Sequence, residues 1–209
     1  MAIASLSKFT VPLASDQSAS AQGMLMPKLK YRFRVMFENF GTSTPTTELT
    51  KQVQDAARPQ VSFENQKIMV YNSTINYAGR PSWQQMSIKL RDDVTGAVSK
   101  LVGEQMQKQF DFFEQSSAAS GIDYKFTARI ELLDGGNGGN AGAGVLETFV
   151  MYGCYVQNTV YSNTDYASSD PVDITLTLKY DNAMQIDGSD TPQGLGESFG
   201  RTVGQLATG

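Results

Sequence analysis

Three places in this sequence carry residue types whose spacing suggests chemistry. Gly136, Gly138 and Ala141 fit the loose G-x-G-x-x-G/A pattern of dinucleotide sites. That pattern requires a strand before it and a helix after it, so that a phosphate rests on a helix N-terminus. Here the following residues, from Val145, alternate like a strand, and a hairpin tip is the better reading. Asp92 and Asp93 form an adjacent carboxylate pair that could hold a cation or exchange protons. They stand where an amphipathic helix begins, and capping its free N–H groups accounts for them. Lys30, Arg32 and Arg34 form a basic stripe, with Tyr31 and Phe33 alternating onto the opposite face. Modules that bind single-stranded nucleic acid set basic and aromatic groups on one surface, so an ion-paired or interface face fits this stripe better. P-loop, zincin and nucleophile-elbow motifs are absent. Asn72-Ser73-Thr74 is a formal glycosylation sequon.

The chain contains no His and one Cys, Cys154. It therefore lacks the usual proton-transfer group near neutral pH and the commonest metal ligand. A lone Cys forms neither an intrachain disulfide nor a thiolate cluster, and Cys154 is expected to be a small buried apolar residue. No catalytic residue, cofactor or metal is assigned, and the chain is expected not to be an enzyme. The start, MAIASLSKFTVPLAS, lacks a cationic segment ahead of a long apolar run and reads as no signal peptide. No apolar run reaches the roughly 20 residues that span a bilayer, so no membrane partner is expected. Charge is uneven: residues 1–109 carry 13 Lys/Arg against 8 Asp/Glu (+5), and residues 110–209 carry 4 against 13 (−9). Such asymmetry suits head-to-tail association, in which unlike faces meet.

The elements follow from hydrophobic period. Residues 1–27 are small, polar and aperiodic, an N-terminal arm ending at Pro27. Leu29, Tyr31, Phe33, Val35 and Phe37 alternate with polar neighbours as a strand, and residues 49–57 predict a weaker one before Pro59. Residues 60–82 read as a long strand-loop excursion broken by Gly79 and Pro81, and Met86, Ile88 and Leu90 mark the next strand. Val94, Val98, Leu101, Val102, Met106, Phe110 and Phe113 recur at steps of three and four, one face of a helix that should pack on the sheet and stop near residues 116–121. Gln105 falls off this stripe and is expected to tolerate Ala. Strands follow over Phe126–Leu132, from Val145 to about Val160 with a bend at Gly153, and over Val172–Tyr180. The Gly-rich stretch 134–144 is a loop without large side chains, expected to be dispensable for folding. The fold class is α+β, mainly β: two packed antiparallel sheets forming a barrel or sandwich with one flanking α-helix. Domain limits are 1–27 (arm), 28–185 (β-domain) and 186–209 (tail).

The order KYRFRVMFENF, KQVQDAARP, VSFENQKIMVYNSTINYAGRPSWQQMSIKLRDD, helix, strand, Gly loop, ETFVMYGCYV and DITLTLKYDNAMQ resembles the tail tube proteins of contractile-tailed bacteriophages. The segment I-N-Y-A-G-R-x-x-W, followed by alternating apolar residues and two acids, is its most specific part. The resemblance implies a fold related to the haemolysin-coregulated protein of type VI secretion. It implies hexameric rings stacked head to tail into the inner tube of a contractile tail, a virion component assembled in the host cytoplasm. Tail sheath, baseplate and tape-measure proteins would be partners, and genomic DNA would pass through without specific binding. A tube initiator at the baseplate, or the tube of an injection device, shares the pattern. In a different class, a β-sandwich module binding carbohydrate or protein would use Trp83 and exposed tyrosines as stacking platforms. The resemblance further implies that the excursion, through Val61, Phe63, Ile68, Val70, Tyr71, Ile75, Tyr77 and Trp83, reaches a neighbouring ring and that the N-terminal arm joins it. Physically, the excursion, which also carries Met69, holds more apolar surface than a free loop should expose. The bland alternative is that these side chains complete their own subunit's core.

Overall fold

Strict alternation produces the strands in this protein, and one glycine decides how they fold over each other. The structure is a computed structural model that describes residues 27–42, 46–136 and 143–197. The terminal arm, the centre of the Gly-rich stretch (Gly138 and Ala141 among it) and the end of the tail lie outside the described residues. The chain divides into two units, Met1–Arg32 and Phe33–Gly209. In the first, Lys30 and Tyr31 form a turn, closed by Arg32 N–H donating to Leu29 O at 3.2 Å. The expected strand therefore begins only at Phe33, and Lys30 and Arg32 do not belong to a strand face.

In the second unit the chain runs β1 (Phe33–Glu38), α1 (Thr47–Gln52), β2 (Val53–Ala56), β3 (Val61–Val70), β4 (Ser73–Trp83), β5 (Met86–Arg91) and α2 (Ala97–Gln109). It continues through β6 (Phe110–Asp111), β7 (Ser116–Ser117), α3 (Gly121–Tyr124), β8 (Phe126–Leu133), β9 (Val145–Tyr161), β10 (Asp173–Lys179) and β11 (Asn182–Asp187). The main sheet has the order β1-β8-β9-β10-β5-β2, with β11 also on β9, and every pairing is antiparallel. The 17-residue β9 is the spine. Its first part, to Cys154, pairs with β8 and β11, and its second part, from Tyr155, pairs with β10. Between them Gly153 sits at φ 67°, a left-handed conformation that glycine adopts without a steric cost. A Cβ there would also collide with the Asp181 carboxylate. The sheet turns at this point and folds over itself as a sandwich, not closed into a barrel.

The two inner faces bury Val35, Phe37, Phe126, Ala128, Ile130, Phe149 and Met151 on one side and Met86, Ile88, Leu90, Ile174, Leu176 and Leu178 on the other. Phe40 stacks edge-on against Phe126 at 4.9 Å and lies 5.3 Å from Phe37. Cys154 is buried among them, and desolvation pushes its thiol up to about 12.

Several boundaries depart from the sequence expectation for identifiable reasons. Residues 47–52 form a helical turn rather than strand, which lets Leu49 reach the core. Helix α2 is shorter than expected, starting at Ala97 and ending at Gln109. Val94 precedes it and is fully exposed, and Phe110 and Phe113 follow it in a small β6–β7 turn. Asp93 still caps the helix, but from four residues before its first residue, Ala97. Its Oδ1 accepts the Ala97 N–H at 3.1 Å, while Gly96, at φ 66°, makes the turn between them. Val98, Leu101 and Val102 are buried, and Met106 is partly buried. Leu101 packs against Gly41 so closely that a Cβ on Gly41 would lie 2.7 Å from Leu101 Cδ2. The last strand, β11, ends at Asp187.

Candidate assembly surface

Three features determine which surfaces are left for other molecules: a buried amide system that fixes the helix, a covered sheet edge, and an uncovered hairpin. Gln105 is wholly buried at the helix centre. Its Oε1 accepts the Gly41 N–H at 3.1 Å and its Nε2 donates to Tyr124 O at 2.6 Å. This corrects the expectation that Gln105 is a surface position. A helix stripe counts apolar residues, and Gln105 lies inside the stripe as a polar tie to two loops. Gln109 does the same one turn later, its Nε2 donating to Val156 O at 2.9 Å and its Oε1 accepting from Val156 N at 2.8 Å. The side-chain amide stands in for a neighbouring strand at the place where the β9–β10 register shifts.

The polar sides of the strands carry ion pairs. Arg34 pairs with Glu131 across β1 and β8, and Lys89 Nζ lies 2.7 Å from Asp173 Oδ2 across β5 and β10. Asp173, Thr175, Thr177 and Lys179 alternate with the buried Ile174, Leu176 and Leu178, so this face of β10 points away from the core. At one end of the molecule the chain after β11 folds back onto it. Gln193 N–H donates to Gln185 O (2.8 Å), Gln185 N–H to Leu195 O (2.7 Å) and Asp187 N–H to Thr191 O (3.0 Å). The free edge of β11 is thereby occupied by its own chain, one of the ways proteins suppress unwanted edge pairing.

The hairpin β3–β4 is different. Its strands pair only with each other, from Val61↔Trp83 to Val70↔Ser73 around the two-residue turn Tyr71–Asn72. Gly79 and Pro81 do not end β4. They accompany a bulge, where the register shifts between Phe63 and Asn65. Gly79 is needed there, because a Cβ would come within 2.9 Å of Glu64 O. The base is anchored to the sandwich. Trp83 stacks on Tyr180 with centroids 5.6 Å apart, its carbonyl accepts from Lys179 Nζ at 2.5 Å, and Gln60 N–H donates to the Tyr180 hydroxyl at 3.1 Å. Trp83 and Val61 are therefore half-buried root residues, and Trp83 is not an open stacking platform.

Beyond the root, nothing in the described chain covers the hairpin. Ile68 faces Ile75 across the strands, and Val70 and Tyr77 adjoin them on the same side, since alternate residues share a face. All four are exposed, as are Phe63, Met69 and Tyr71, the last 98% accessible with φ 50°. A two-stranded hairpin alone is marginally stable in water, and an apolar patch of this kind marks an interaction surface. The sequence missed the root contacts because Tyr180 is remote in sequence. Six of the eight residues it singled out, Phe63, Ile68, Val70, Tyr71, Ile75 and Tyr77, are exposed, because a two-stranded ribbon has no second layer to hide them.

Among the described residues no group of His, Cys, Asp or Glu has the geometry of a metal site, and no helix is long and apolar enough to cross a membrane. No protein-family model matches the chain, and no curated protein matches it. Solved structures do. A chain of the anti-feeding prophage cap that terminates the tube superimposes with a TM-score of 0.58 at 14% identity, covering 83% of this chain and 99% of that one. A chain of the anti-feeding prophage baseplate gives 0.57 at 13% identity, covering 79% and 99%. A chain from the extended sheath–tube complex of an extracellular contractile injection system gives 0.54 at 12% identity, covering 84% and 99%. At these identities the likeness is one of fold, and nearly the whole of each of those chains lies within it.

Proposed function

We propose that this protein is a structural subunit of the tube of a contractile apparatus, a part that works by self-assembly and not by catalysis. The observation that carries this reading is the uncovered apolar face of β3–β4, held on a rigid root in a fold shared with chains of contractile tube assemblies. Burying that face against a neighbouring copy would stabilise assembly by about 25 cal/mol per Å² of apolar surface removed from water. Unlike surfaces must meet for this, so the contact is head to tail and propagates, as in a stacked tube. In the finer form of the proposal the rings are hexameric and the N-terminal arm joins the inter-ring contact. The tube sits inside a sheath on a baseplate as part of a virion tail, with a tape-measure protein setting its length and DNA passing without specific binding. An acidic chain of net charge −4 suits such a conduit, because it does not retain a polyanion.

The test is electron microscopy of the purified full chain at raised concentration. Hollow tubes or stacked rings are expected. Monodisperse single particles at every concentration would contradict the proposal and favour a soluble binding module.

A further inference from the structure

Where α2 ends, a groove of about 290 Å³ lies between the helix terminus, the β6–β7 turn and the second half of β9. Met106, Gln109, Phe110, Phe112, Val156 and Tyr161 are among the residues that line it. Tyr161 and Thr159 pair with Ile174 and Leu176, residues of the core face, so the groove floor is core surface that the helix is too short to cover. Phe110 and Phe112 meet edge to face at 5.4 Å on its wall and remain exposed. Thr159 Oγ1, also on the floor, is buried without a hydrogen-bond partner.

We propose that this groove receives the distal end of the β3–β4 hairpin, around Met69, Val70 and Tyr71, from a second copy of the chain. The inference rests on the tube reading above and specifies its contact. Three observations select this occupant. The hairpin end is apolar and projecting, and the groove is concave with Met106, Phe110, Phe112 and Val156 as its apolar part beside the polar Gln157, Asn158 and Thr159, so each supplies what the other lacks. Thioether and aromatic groups on the tip (Met69, Tyr71) meet aromatic rings in the groove, a favourable pairing. The charges are opposite: the hairpin carries Lys67 and Arg80 against Glu64, whereas the groove-side turn carries Asp111 and Glu114 with no basic residue. The Asp111 carboxyl is held below its ordinary range by the backbone N–H groups of Glu114 and Phe113, so it stays ionised. Tyr71 at positive φ is a strained choice for a turn, consistent with an aromatic kept at the tip for contact.

The experiment places cysteines at Tyr71→Cys and Tyr161→Cys in the full chain, with Cys154 left in its buried position, and oxidises after assembly. Tyr161 lines the groove, shares the core face with Ile174 and is half exposed. A ladder of disulfide-linked oligomers on a non-reducing gel is expected, and none from the pair Tyr71→Cys with Ser189→Cys, an exposed position on the β11 turn. Tubes without a ladder, or with equal ladders from both pairs, would overturn the groove assignment and leave the tube reading standing. A wild-type chain that forms no tubes would overturn both. If Tyr71→Cys itself does not assemble, Phe112→Asp decides. Native circular dichroism with no tubes supports the groove, and tubes like wild type overturn it.

Discussion

Strand β10 and hairpin β3–β4 are both rich in aliphatic β-formers, yet they meet opposite fates. In β10 every second residue, Ile174, Leu176 and Leu178, is fully buried. In the hairpin, Ile68, Val70, Ile75 and Tyr77 occupy the same kind of alternating positions and are about half exposed. The difference is one of neighbours. β10 lies between β9 and β5 with a second sheet across from it, whereas β3 and β4 have only each other. Local pattern shows that a face is apolar. Whether that face is a core or an interface depends on how many elements the chain can bring over it. In this protein the sandwich completes its own core and the distal hairpin stays uncovered among the described residues.

The sharpest way to break the comparison is in the core. Leu101→Ala removes a fully buried side chain that packs on Gly41. It should destabilise the subunit by ~2–5 kcal/mol in chemical denaturation. A change below that range would mean that α2 is not part of the sandwich's cooperative unit. Gln105→Ala comes next. It leaves the buried Gly41 N–H and Tyr124 C=O without their partner, and a loss of about 1–3 kcal/mol is expected by the same measurement. A neutral result would mean water replaces the amide. At the lower end, replacing residues 137–142 with a short turn should leave the midpoint unchanged. The loop is clasped at its base by Asp134 N–H donating to Gly144 O at 2.9 Å, and its Gly-rich centre has no large side chain to bury. A drop in stability would assign that stretch a structural role.

How much of this was legible in the sequence depended on whether the signal was local. The strands β5, β8 and β10 follow directly from alternation, as does the core of α2 from Val98 to Val102. Asp93 was recognisable as a cap because carboxylates before an apolar stripe do little else, though its distance from the helix was not. The misplaced features depend on remote partners. Residues 47–52 become helical so that Leu49 reaches the core. Gln105 is buried and Gln109 partly so because backbone groups at Gly41, Tyr124 and β9 supply partners 19 to 64 residues away. The fold-back over β11 carries no periodicity at all. The exposed hairpin was visible as an excess of apolar residues, but its division into a root at Trp83 and an uncovered distal face required the register of the hairpin.

The central claim is that the apolar surface of the hairpin belongs to a neighbouring subunit and not to the fold of its own. It is tested most directly by sedimentation velocity, combined with circular dichroism, on Phe63→Asp and Ile68→Asp. Both residues are at least half exposed in the subunit. The account predicts wild-type spectra with only small species in both variants, under conditions where the wild-type chain polymerises. Loss of secondary structure together with loss of assembly would return the hairpin to the subunit's own core. Variants that polymerise like wild type would show that this surface has no part in assembly.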